Sequence, residues 1–416
     1  MSTTSTSEIT PTETTTPTTE PTTTKKDKKS SKGRVVIVGG GYGGIIAARK
    51  LEKDNFDVTV VEKKHVFFIN TGSLRCIVEP EVSRKCFIPY AGMLKRGRFV
   101  HGLAINVSPT RVLMDSGEEL PFDFLIIATG TNNLSPFKSP LDVSYAYQYF
   151  TDIKETIRQA QKVMIVGGGA VGVELAGEIA TDFKGKCVQL VHNSDRLVAP
   201  QVNDKFTKKM NKKLVDMGVK LMFNTSIVVP DHVQEHLRQQ SYFGYELEMK
   251  TFPTDSEYGN IEADLVFWCI GNKINNEPMA EHFGDAIDGE GRLKVNEYMQ
   301  VEGYQNIFAV GDITNVEEIK TLYNARNHAE LLARNLKAST TFSAKKWTKY
   351  KTPGTMMFVT LGRNDGLAHL PNGMIIPGFL VKMVKSKGVF LDNIHKSLGK
   401  PRGVVNIGTA TAKSNK

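Results

Sequence analysis

RVVIVGGGYGG, residues 34–44, places a glycine-rich turn directly after a short apolar run. Residues 35–38 predict a buried strand, and residues 45–53 have the apolar spacing of a helix that packs against it. A second apolar run at 58–61 predicts the next strand, so the order is strand, turn, helix, strand. This order is typical of the α/β class, in which a parallel sheet carries helices on both faces.

The turn fits the pattern G-x-G-x-x-G, in which each glycine has a separate purpose. Gly39 allows a tight turn, Gly41 lets the backbone approach a pyrophosphate at the helix N-terminus, and Gly44 lets helix and strand pack closely. Glu62 follows at the end of the next strand, about 20 residues on, where a carboxylate accepts hydrogen bonds from ribose hydroxyls. The spacing therefore predicts a dinucleotide site on this first fold.

The same order of elements returns later in the chain. Strand, turn, helix and strand are predicted again at 163–166, 167–172, 173–181 and 187–191. The first glycine of the second turn, Gly167, stands 128 residues after Gly39, and two such folds predict two dinucleotides. No carboxylate ends the second fold's last strand, so His192 and Arg196 either accept a 2′-phosphate or are solvent-exposed loop residues.

Later apolar runs indicate which fold binds which nucleotide. Runs at 124–127 and 265–268 each follow one glycine turn and end in a small turn of their own. Strands in these positions bring the chain back beside the nucleotide. A further run over 306–311 ends at Asp312, after a glycine. In flavoproteins with two nucleotide sites, an aspartate here hydrogen-bonds the ribityl or pyrophosphate part of FAD, which assigns FAD to the first fold.

The composition narrows the classes of function. No apolar run approaches the roughly 18 residues that a membrane-spanning helix needs. The four cysteines are scattered, without a Cys-x-x-Cys pair or a zinc-like cluster, so reduced thiols and no metal are expected. Lysines on a solvated surface explain the net charge of +9, which disfavours a dedicated nucleic-acid-binding protein.

Residues 1–33 are mostly Thr, Ser, Pro and Glu, followed by a run of lysines. Such a composition cannot bury enough apolar surface to fold, so a disordered tail is expected. The tail lacks the apolar core of a signal peptide, and its glutamates argue against a transit peptide. Ser2 removes the N-myristoylation signal, and a cytoplasmic protein is expected.

Seven stretches of sequence between residue 34 and about residue 400 carry a resemblance to a known family. They are VVIVGGGYGG, SLRCIVEP, IIATG, IVGGGAVGVELAGEI, IGNKIN, LKVNEYMQVEGYQNIFAVGDI and LGRNDG. In these stretches the chain resembles the apoptosis-inducing-factor-like FAD-dependent oxidoreductases, most closely the branch that contains ferroptosis suppressor protein 1, or apoptosis-inducing factor homologue 2. The resemblance implies two Rossmann-like domains of the pyridine nucleotide-disulfide oxidoreductase type and a small C-terminal α+β region.

The resemblance also implies domain boundaries and site residues. The implied segments are a disordered tail at 1–33, an FAD-binding domain at 34–140 and 276–340, an NAD(P)H-binding domain at 141–275, a C-terminal region at 341–402 and a flexible tail at 403–416. FAD would contact Gly39, Gly40, Gly41, Tyr42, Gly43, Gly44, Glu62, Arg75, Ala104, Thr129, Gly130 and Asp312. NADH or NADPH would contact Gly167, Gly169, Gly172, Glu174 and Gly271. Lys138 would lie near the flavin, as the candidate catalytic residue.

The activity implied is hydride transfer from NAD(P)H to the flavin, which then passes electrons to an acceptor. No Cys-x-x-x-x-Cys pair follows the first glycine turn, so the acceptor would meet the flavin directly, and the resemblance suggests a quinone. Two alternatives remain. One is a type II NADH dehydrogenase of a respiratory membrane, and the other is a non-enzymatic protein that binds nucleic acid or a partner, as apoptosis-inducing factors do.

Residues 378–390, GFLVKMVKSKGVF, interleave apolar and basic side chains. They form either a surface that lies on anionic lipid or a core helix whose lysines extend to water. With the first alternative, Lys382, Lys385 and Lys387 would attract the protein weakly to a membrane, such as a lipid droplet or the outer mitochondrial surface.

Overall fold

The computed structural model describes residues 31–132, 138, 143–239, 248–270, 272–338, 347–399, 401, 403 and 405–408, with the backbone alone over 236–239. The tail expected at 1–33 lies outside the described residues up to residue 30. The same holds for Gly271 and for the C-terminal tail after residue 408.

The strands of the described residues are named in chain order. They are β1 (Arg34–Val38), β2 (Asp57–Glu62), β3 (Val66–Phe68), β4 (Phe87–Pro89), β5 (Arg98–His101), β6 (Ala104–Val107), β7 (Arg111–Met114), β8 (Glu119–Pro121), β9 (Phe124–Ile127), β10 (Thr131–Asn132), β11 (Lys162–Val166), β12 (Cys187–Val191), β13 (Lys220–Met222), β14 (Lys250–Phe252), β15 (Ile261–Ala263), β16 (Leu265–Trp268), β17 (Lys273–Ile274), β18 (Ile307–Ala309), β19 (Met357–Leu361), β20 (Asp365–His369) and β21 (Ile375–Ile376).

The α-helices are α1 (Tyr42–Lys53), α2 (Ser73–Val78), α3 (Ser83–Cys86), α4 (Ala146–Gln159), α5 (Ala170–Asp182), α6 (Asp204–Asp216), α7 (Asp231–Gln239), α8 (Leu322–Ala338), α9 (Gly378–Val381) and α10 (Leu391–Leu398). A 3₁₀ turn at Gly311–Ile313 and a π-helical turn at Lys382–Ser386 matter for the site. Over the described ranges, none of the helices combines the length and apolar character that crossing a bilayer requires.

The first sheet has five parallel strands in the order β18-β9-β1-β2-β5. β1 lies at its centre, with α1 and α8 packed on one face of the sheet and the antiparallel strands β6, β7 and β8 on the other. The expectation of helices on both faces is therefore wrong for this sheet, although both faces of the apolar strand are buried. Val35 and Ile37 accordingly have no exposed surface. β18 joins this sheet after the chain has passed through the second one, so the first fold is built from two separate parts of the sequence.

The second sheet repeats this arrangement with four parallel strands in the order β13-β12-β11-β16. In both sheets the strand before the glycine turn lies between the strand after the following helix and a later apolar strand: β1 between β2 and β9, and β11 between β12 and β16. The α/β class with two Rossmann-like folds is therefore confirmed. The exact domain boundaries stay a prediction.

The helix after the first turn starts earlier than its apolar spacing predicts. α1 begins at Tyr42 rather than at residue 45, since Gly41 is extended and serves as the N-cap. Gly43 and Gly44 form the first turn of the helix despite their low helix propensity. α5 likewise begins at Ala170, with Gly169 as its N-cap.

The C-terminal elements pack against the second fold. β19, β20 and β21 form an antiparallel sheet, and β19 lies on α5. A Cβ atom at Gly177 of α5 would stand 2.7 Å from the Cα of Leu361, so the absence of a side chain allows this close approach. The next elements, from α9 through the π-helical turn to α10, are then held beside the two glycine turns.

Candidate active site

One cavity of about 1940 Å³ lies between the two folds and the C-terminal elements. Small-molecule sites are typically about 300–1,000 Å³, so this cavity can hold more than one ligand. Gly41 at the start of α1, Ala170 at the start of α5, Asp312 after β18 and Phe390 before α10 all line it. Both glycine turns and the C-terminal region therefore contribute to a single site.

The first glycine turn leaves open space at the N-terminus of α1. A Cβ atom at Gly41 would meet no other atom within 4 Å. A Cβ atom at Gly39 would instead overlap the carbonyl of Ala128, and one at Gly44 would overlap the carbonyl oxygen of Gly39. Gly39 and Gly44 thus shape the turn, while Gly41 leaves room for an anionic group beside free helix N–H groups.

Glu62 anchors the same turn from the end of β2. Its Oε2 accepts a hydrogen bond from the backbone N–H of Gly40 at 2.6 Å, and its Oε1 accepts one from the N–H of Lys64 at 3.0 Å. Glu62 also lines the cavity. Because a carboxylate has about four acceptor positions, this anchored group can still accept hydrogen bonds from a ribose.

Asp312 is tied to Lys138 through one threonine. The hydroxyl of Thr131 donates to Asp312 Oδ2 at 3.1 Å, and Lys138 Nζ donates to the hydroxyl of Thr131 at 2.9 Å and to its carbonyl oxygen. Burial lowers the pKa of Lys138 to about 8, although the charge of Asp312 opposes the shift. Lys138 can therefore hold or release a proton inside the cavity near neutral pH.

The second turn repeats the first with one substitution. A Cβ atom at Gly169 would meet nothing within 4 Å, and one at Gly172 would overlap the carbonyl oxygen of Gly167. The N–H of Gly168 donates to Nδ1 of His192 at 3.2 Å, so an imidazole occupies the place that Glu62 has in the first fold. Burial lowers the pKa of His192, so this imidazole is neutral near neutral pH.

Arg196, the other candidate for a 2′-phosphate contact, is partly engaged within the protein. Its guanidinium forms an ion pair with Asp204 and donates to the carbonyl oxygen of Val202 at 2.7 Å. Arg196 is therefore a loop residue that is 33% exposed and has partners of its own, and its contact with a 2′-phosphate stays a prediction. Asp204 also offsets much of the positive charge that a phosphate would meet there.

Arg75 does not reach the cavity, in contrast to its predicted contact with FAD. Its side chain is 3% exposed and forms a two-point ion pair with Glu178 at 2.8–3.0 Å. It also donates to the carbonyl oxygen of Ser386 at 3.0 Å. Arg75 thus joins α2, α5 and the C-terminal region, and its guanidinium is directed away from a ligand.

Glu174 lines the cavity from α5, yet it already pairs with Lys385, which the sequence did not identify as a residue of the site. Lys385 Nζ lies 2.6 Å from Glu174 Oε1, and the N–H and hydroxyl of Thr360 donate to the same oxygen at 2.8 and 3.0 Å. Lys385 is 7% exposed, so its placement on a lipid-facing surface is corrected. Its spacing of four residues from Val381 and from Val389, both buried, was the available signal of a buried helical face.

The structure brings most of the predicted residues together. Those that line the cavity are Gly39, Gly41, Tyr42, Gly43, Glu62, Ala104, Thr129, Gly130, Lys138, Glu174 and Asp312. Those that do not line it but shape the glycine turns are Gly40, Gly44, Gly167, Gly169 and Gly172. Gly271 lies outside the described residues, and the contacts of all these residues with a cofactor stay a prediction.

Two of the four cysteines, expected to be scattered, are neighbours. The sulfur atoms of Cys76 and Cys86 are 3.6 Å apart, and both side chains are fully buried. Burial raises the pKa of Cys76, which favours the thiol over the reactive thiolate. Within the part of the chain that the structure describes, no group of three His, Cys, Asp or Glu side chains could hold a metal ion.

The end of the cavity next to the C-terminal region, here called its apolar end, carries a group of apolar side chains beside the Lys385–Glu174 pair. Phe358 and Phe390 line it with rings 5.9 Å apart, together with Met357, Val384 and Ile394. Beside this end lies an exposed patch, here called the C-terminal patch. Its members are Phe379, Leu380, Met383 and Val384, which are 39–79% exposed.

Comparisons with known proteins match this chain to a family profile and to similar proteins of other organisms. The profile of the pyridine nucleotide-disulphide oxidoreductase family matches residues 33–329. Apoptosis-inducing factor homolog B of Dictyostelium discoideum is 40% identical over 374 residues, which cover 88% of this chain and 96% of that protein. Ferroptosis suppressor protein 1 of Xenopus tropicalis is 35% identical over 86% of this chain and 94% of its own length.

Among solved structures, the sulfide:quinone oxidoreductase of Aquifex aeolicus superposes with a TM-score of 0.72. The superposition covers 88% of this chain and 91% of that one at 16% sequence identity. At this level of identity the similarity concerns the fold alone.

Proposed function

Because the chain belongs to the pyridine nucleotide-disulphide oxidoreductase family, in the branch of the apoptosis-inducing factor homologues and ferroptosis suppressor proteins, we propose that it transfers electrons from NAD(P)H through FAD to a quinone. Membership of this family makes the protein an NAD(P)H-dependent FAD oxidoreductase. The proposal of a quinone as the acceptor is supported by the apolar end of the cavity, where Phe358 and Phe390 lie.

The first fold suits FAD in shape and charge. The open backbone at Gly41 would hold the pyrophosphate against α1, and Glu62 would accept hydrogen bonds from the adenosine ribose. Asp312 would bind the ribityl part of the cofactor through a charge-assisted hydrogen bond. FAD, when bound, supplies the two-electron chemistry, and these residues hold and orient it.

The second fold suits NAD(P)H on the opposite side of the same cavity. The N-terminus of α5 would bind the pyrophosphate of the coenzyme, beside Ala170. Glu174, held by Lys385, would lie one helical turn further along α5, toward the nicotinamide. Lys138 would place an exchangeable proton near the reacting ends of both ligands.

The apolar end of the cavity suits a quinone because an aromatic head group packs well against Phe358 and Phe390. The C-terminal patch continues the apolar surface outward, so a lipid-soluble acceptor could enter from a membrane surface. We therefore also propose weak peripheral membrane contact on the cytoplasmic side, through this patch.

Three measurements on the purified protein test the proposal. Denaturation should release about one FAD per chain, NADH or NADPH should bleach the flavin anaerobically, and a water-soluble quinone should restore its colour. If the flavin bleaches but no quinone reoxidises it faster than oxygen does, the acceptor class is wrong while the oxidoreductase stands. Quinone reduction that appears only in respiratory membranes would favour the type II NADH dehydrogenase.

A pair of phenylalanine variants locates the quinone. Phe390→Ala removes a ring from the cavity and should raise the KM for the quinone about tenfold, while anaerobic flavin reduction by NADH changes little. With a water-soluble quinone, which does not need to enter over the C-terminal patch, Phe379→Ala is the matched control, since Phe379 is 66% exposed and does not line the cavity. Equal KM values for the two variants would contradict the assignment.

A further inference from the structure

Behind Asp312, three side chains, two of them buried and one half-buried, form a row that ends at the backbone of Gly311. They are Tyr350, Glu318 and His328. We propose that His328 is a positioning residue for FAD. It accepts a hydrogen bond from the N–H of Gly311 and so holds the turn that carries Asp312 in place. The inference rests on Asp312 as a ligand of FAD in the proposed function.

The N–H of Gly311 needs a partner outside the sheet. Val310, one residue earlier, still donates to the carbonyl oxygen of Ile127 on β9, but the chain then turns at Gly311 with φ +82°. Nδ1 of His328, a fully buried side chain, accepts a hydrogen bond from the N–H of Gly311 at 3.2 Å. Because a backbone N–H can only donate, this nitrogen carries no proton.

Glu318 favours the proton state that this contact requires. Its Oε1 lies 2.9 Å from Nε2 of His328, and the two side chains are 3% and 1% exposed. The two atoms are close but out of line for a good hydrogen bond, so the contact is mainly electrostatic. A carboxylate here favours the proton on Nε2, which leaves Nδ1 free to accept.

Tyr350, which is half-buried, completes the row behind Glu318. Its hydroxyl donates to Glu318 Oε2 at 2.8 Å, and its ring meets the His328 ring edge-on at 4.6 Å. Burial and the neighbouring carboxylate raise the pKa of Tyr350, so the hydroxyl keeps its proton and remains a donor. The carboxylate of Glu318 is thereby fixed on the side that faces His328.

The row acts on the cavity through Gly311, the end point that lines it. Asp312 follows Gly311 directly, and Ala325, one turn before His328 on α8, also lines the cavity. A Cβ atom at Gly311 would stand 3.5 Å from the Cβ of Ala325, so the turn and α8 are in contact. His328 therefore ties the position of Asp312 to the helix whose first turn faces the ligand.

The decisive experiment asks whether His328 acts through Asp312. His328→Leu removes the acceptor and leaves a buried N–H unpaired, so the holoprotein should bind FAD about tenfold to hundredfold more weakly, as measured by FAD release on dilution. In an Asp312→Ala background the same change should cost less than about threefold. A merely structural histidine would cost the same in both backgrounds, and that result would overturn the proposal.

Two further variants keep the proposal testable if His328→Leu does not fold. In His328→Asn the side-chain oxygen can take the place of Nδ1 and should restore FAD binding to within about threefold of the parent. Tyr350→Phe keeps the ring but removes the donor to Glu318, and a loss of roughly threefold is expected. FAD binding unchanged in Tyr350→Phe, or weakened about tenfold or more in His328→Asn, would overturn the proposal. A parent protein without FAD would instead refute the proposed function itself.

Discussion

Glu62 and His192 occupy equivalent places in the two folds, and the difference between them sets the electrostatics of each nucleotide site. Each side chain accepts a hydrogen bond from the backbone N–H of the second glycine of its turn, Gly40 or Gly168. A carboxylate at this place binds ribose hydroxyls and repels a 2′-phosphate. The neutral imidazole repels neither form of the coenzyme.

We therefore expect NADH and NADPH to reduce the flavin with kcat/KM values within about tenfold, or roughly 1.4 kcal/mol. His192→Glu should shift the ratio toward NADH by at least about tenfold, because a carboxylate repels the phosphate and can bind the ribose. Anaerobic stopped-flow reduction with each coenzyme measures both ratios. A hundredfold preference of the parent protein for NADH would show that another residue rejects the phosphate.

We expect Lys138 to give flavin reduction a pH dependence. Its lowered pKa means that the ammonium is present below about pH 8 and is lost above it. Because a positive charge stabilises negative charge that develops in the cavity, kcat/KM for NADH should fall as the pH rises through about 8. Lys138→Met should be slower at low pH and lack this step, and Lys138→Arg should stay charged and lack it too. The same step in Lys138→Met would assign it to a different group.

At the scale of elements, the sequence predicted the structure of those short segments whose conformation depends on their own residues. The glycine turns, their flanking strands and Asp312 are such segments, because apolar runs and glycine spacing act locally. The pairs Arg75–Glu178 and Lys385–Glu174 could not be read in the same way, because their partners are 103 and 211 residues apart. Such contacts depend on how α2, α5 and the C-terminal turn pack.

The Arg75–Glu178 pair should support the joint between these elements. Arg75→Met leaves a buried carboxylate without its partner, so the free energy of unfolding should fall by about 3–5 kcal/mol in urea titrations. The double variant Arg75→Met, Glu178→Leu should recover much of this loss. Arg84→Met is the matched control, since its exposed pair with Glu81 should contribute only about 0.2–1 kcal/mol. Equal losses in Arg75→Met and Arg84→Met would contradict this role for the pair.

At the scale of the whole molecule, the C-terminal segment, residues 378–390, contributes side chains both to the buried interior and to the exposed surface. Val381, Lys385 and Val389 are buried, while Phe379 and Met383 point outward. The core-helix alternative for residues 378–390 is therefore confirmed for the buried side chains, and contact of the exposed ones with anionic lipid stays a prediction. Removal of the segment would expose the core, so its membrane role has to be tested with point substitutions on the exposed side.

The intact protein should bind weakly to vesicles of phosphatidylcholine and phosphatidylserine. Lys382 and Lys387 are exposed beside the C-terminal patch and contribute about 1 kcal/mol each near an anionic surface, and partial burial of the patch adds to this. Met383→Glu should abolish co-sedimentation, because it places a negative charge in the patch. Met249→Glu, the matched control at a 51% exposed methionine outside the patch, should leave binding unchanged. Raised salt should release the parent protein, since the attraction is largely electrostatic. If the parent ignores these vesicles, or if both variants bind alike, the patch does not contact a membrane.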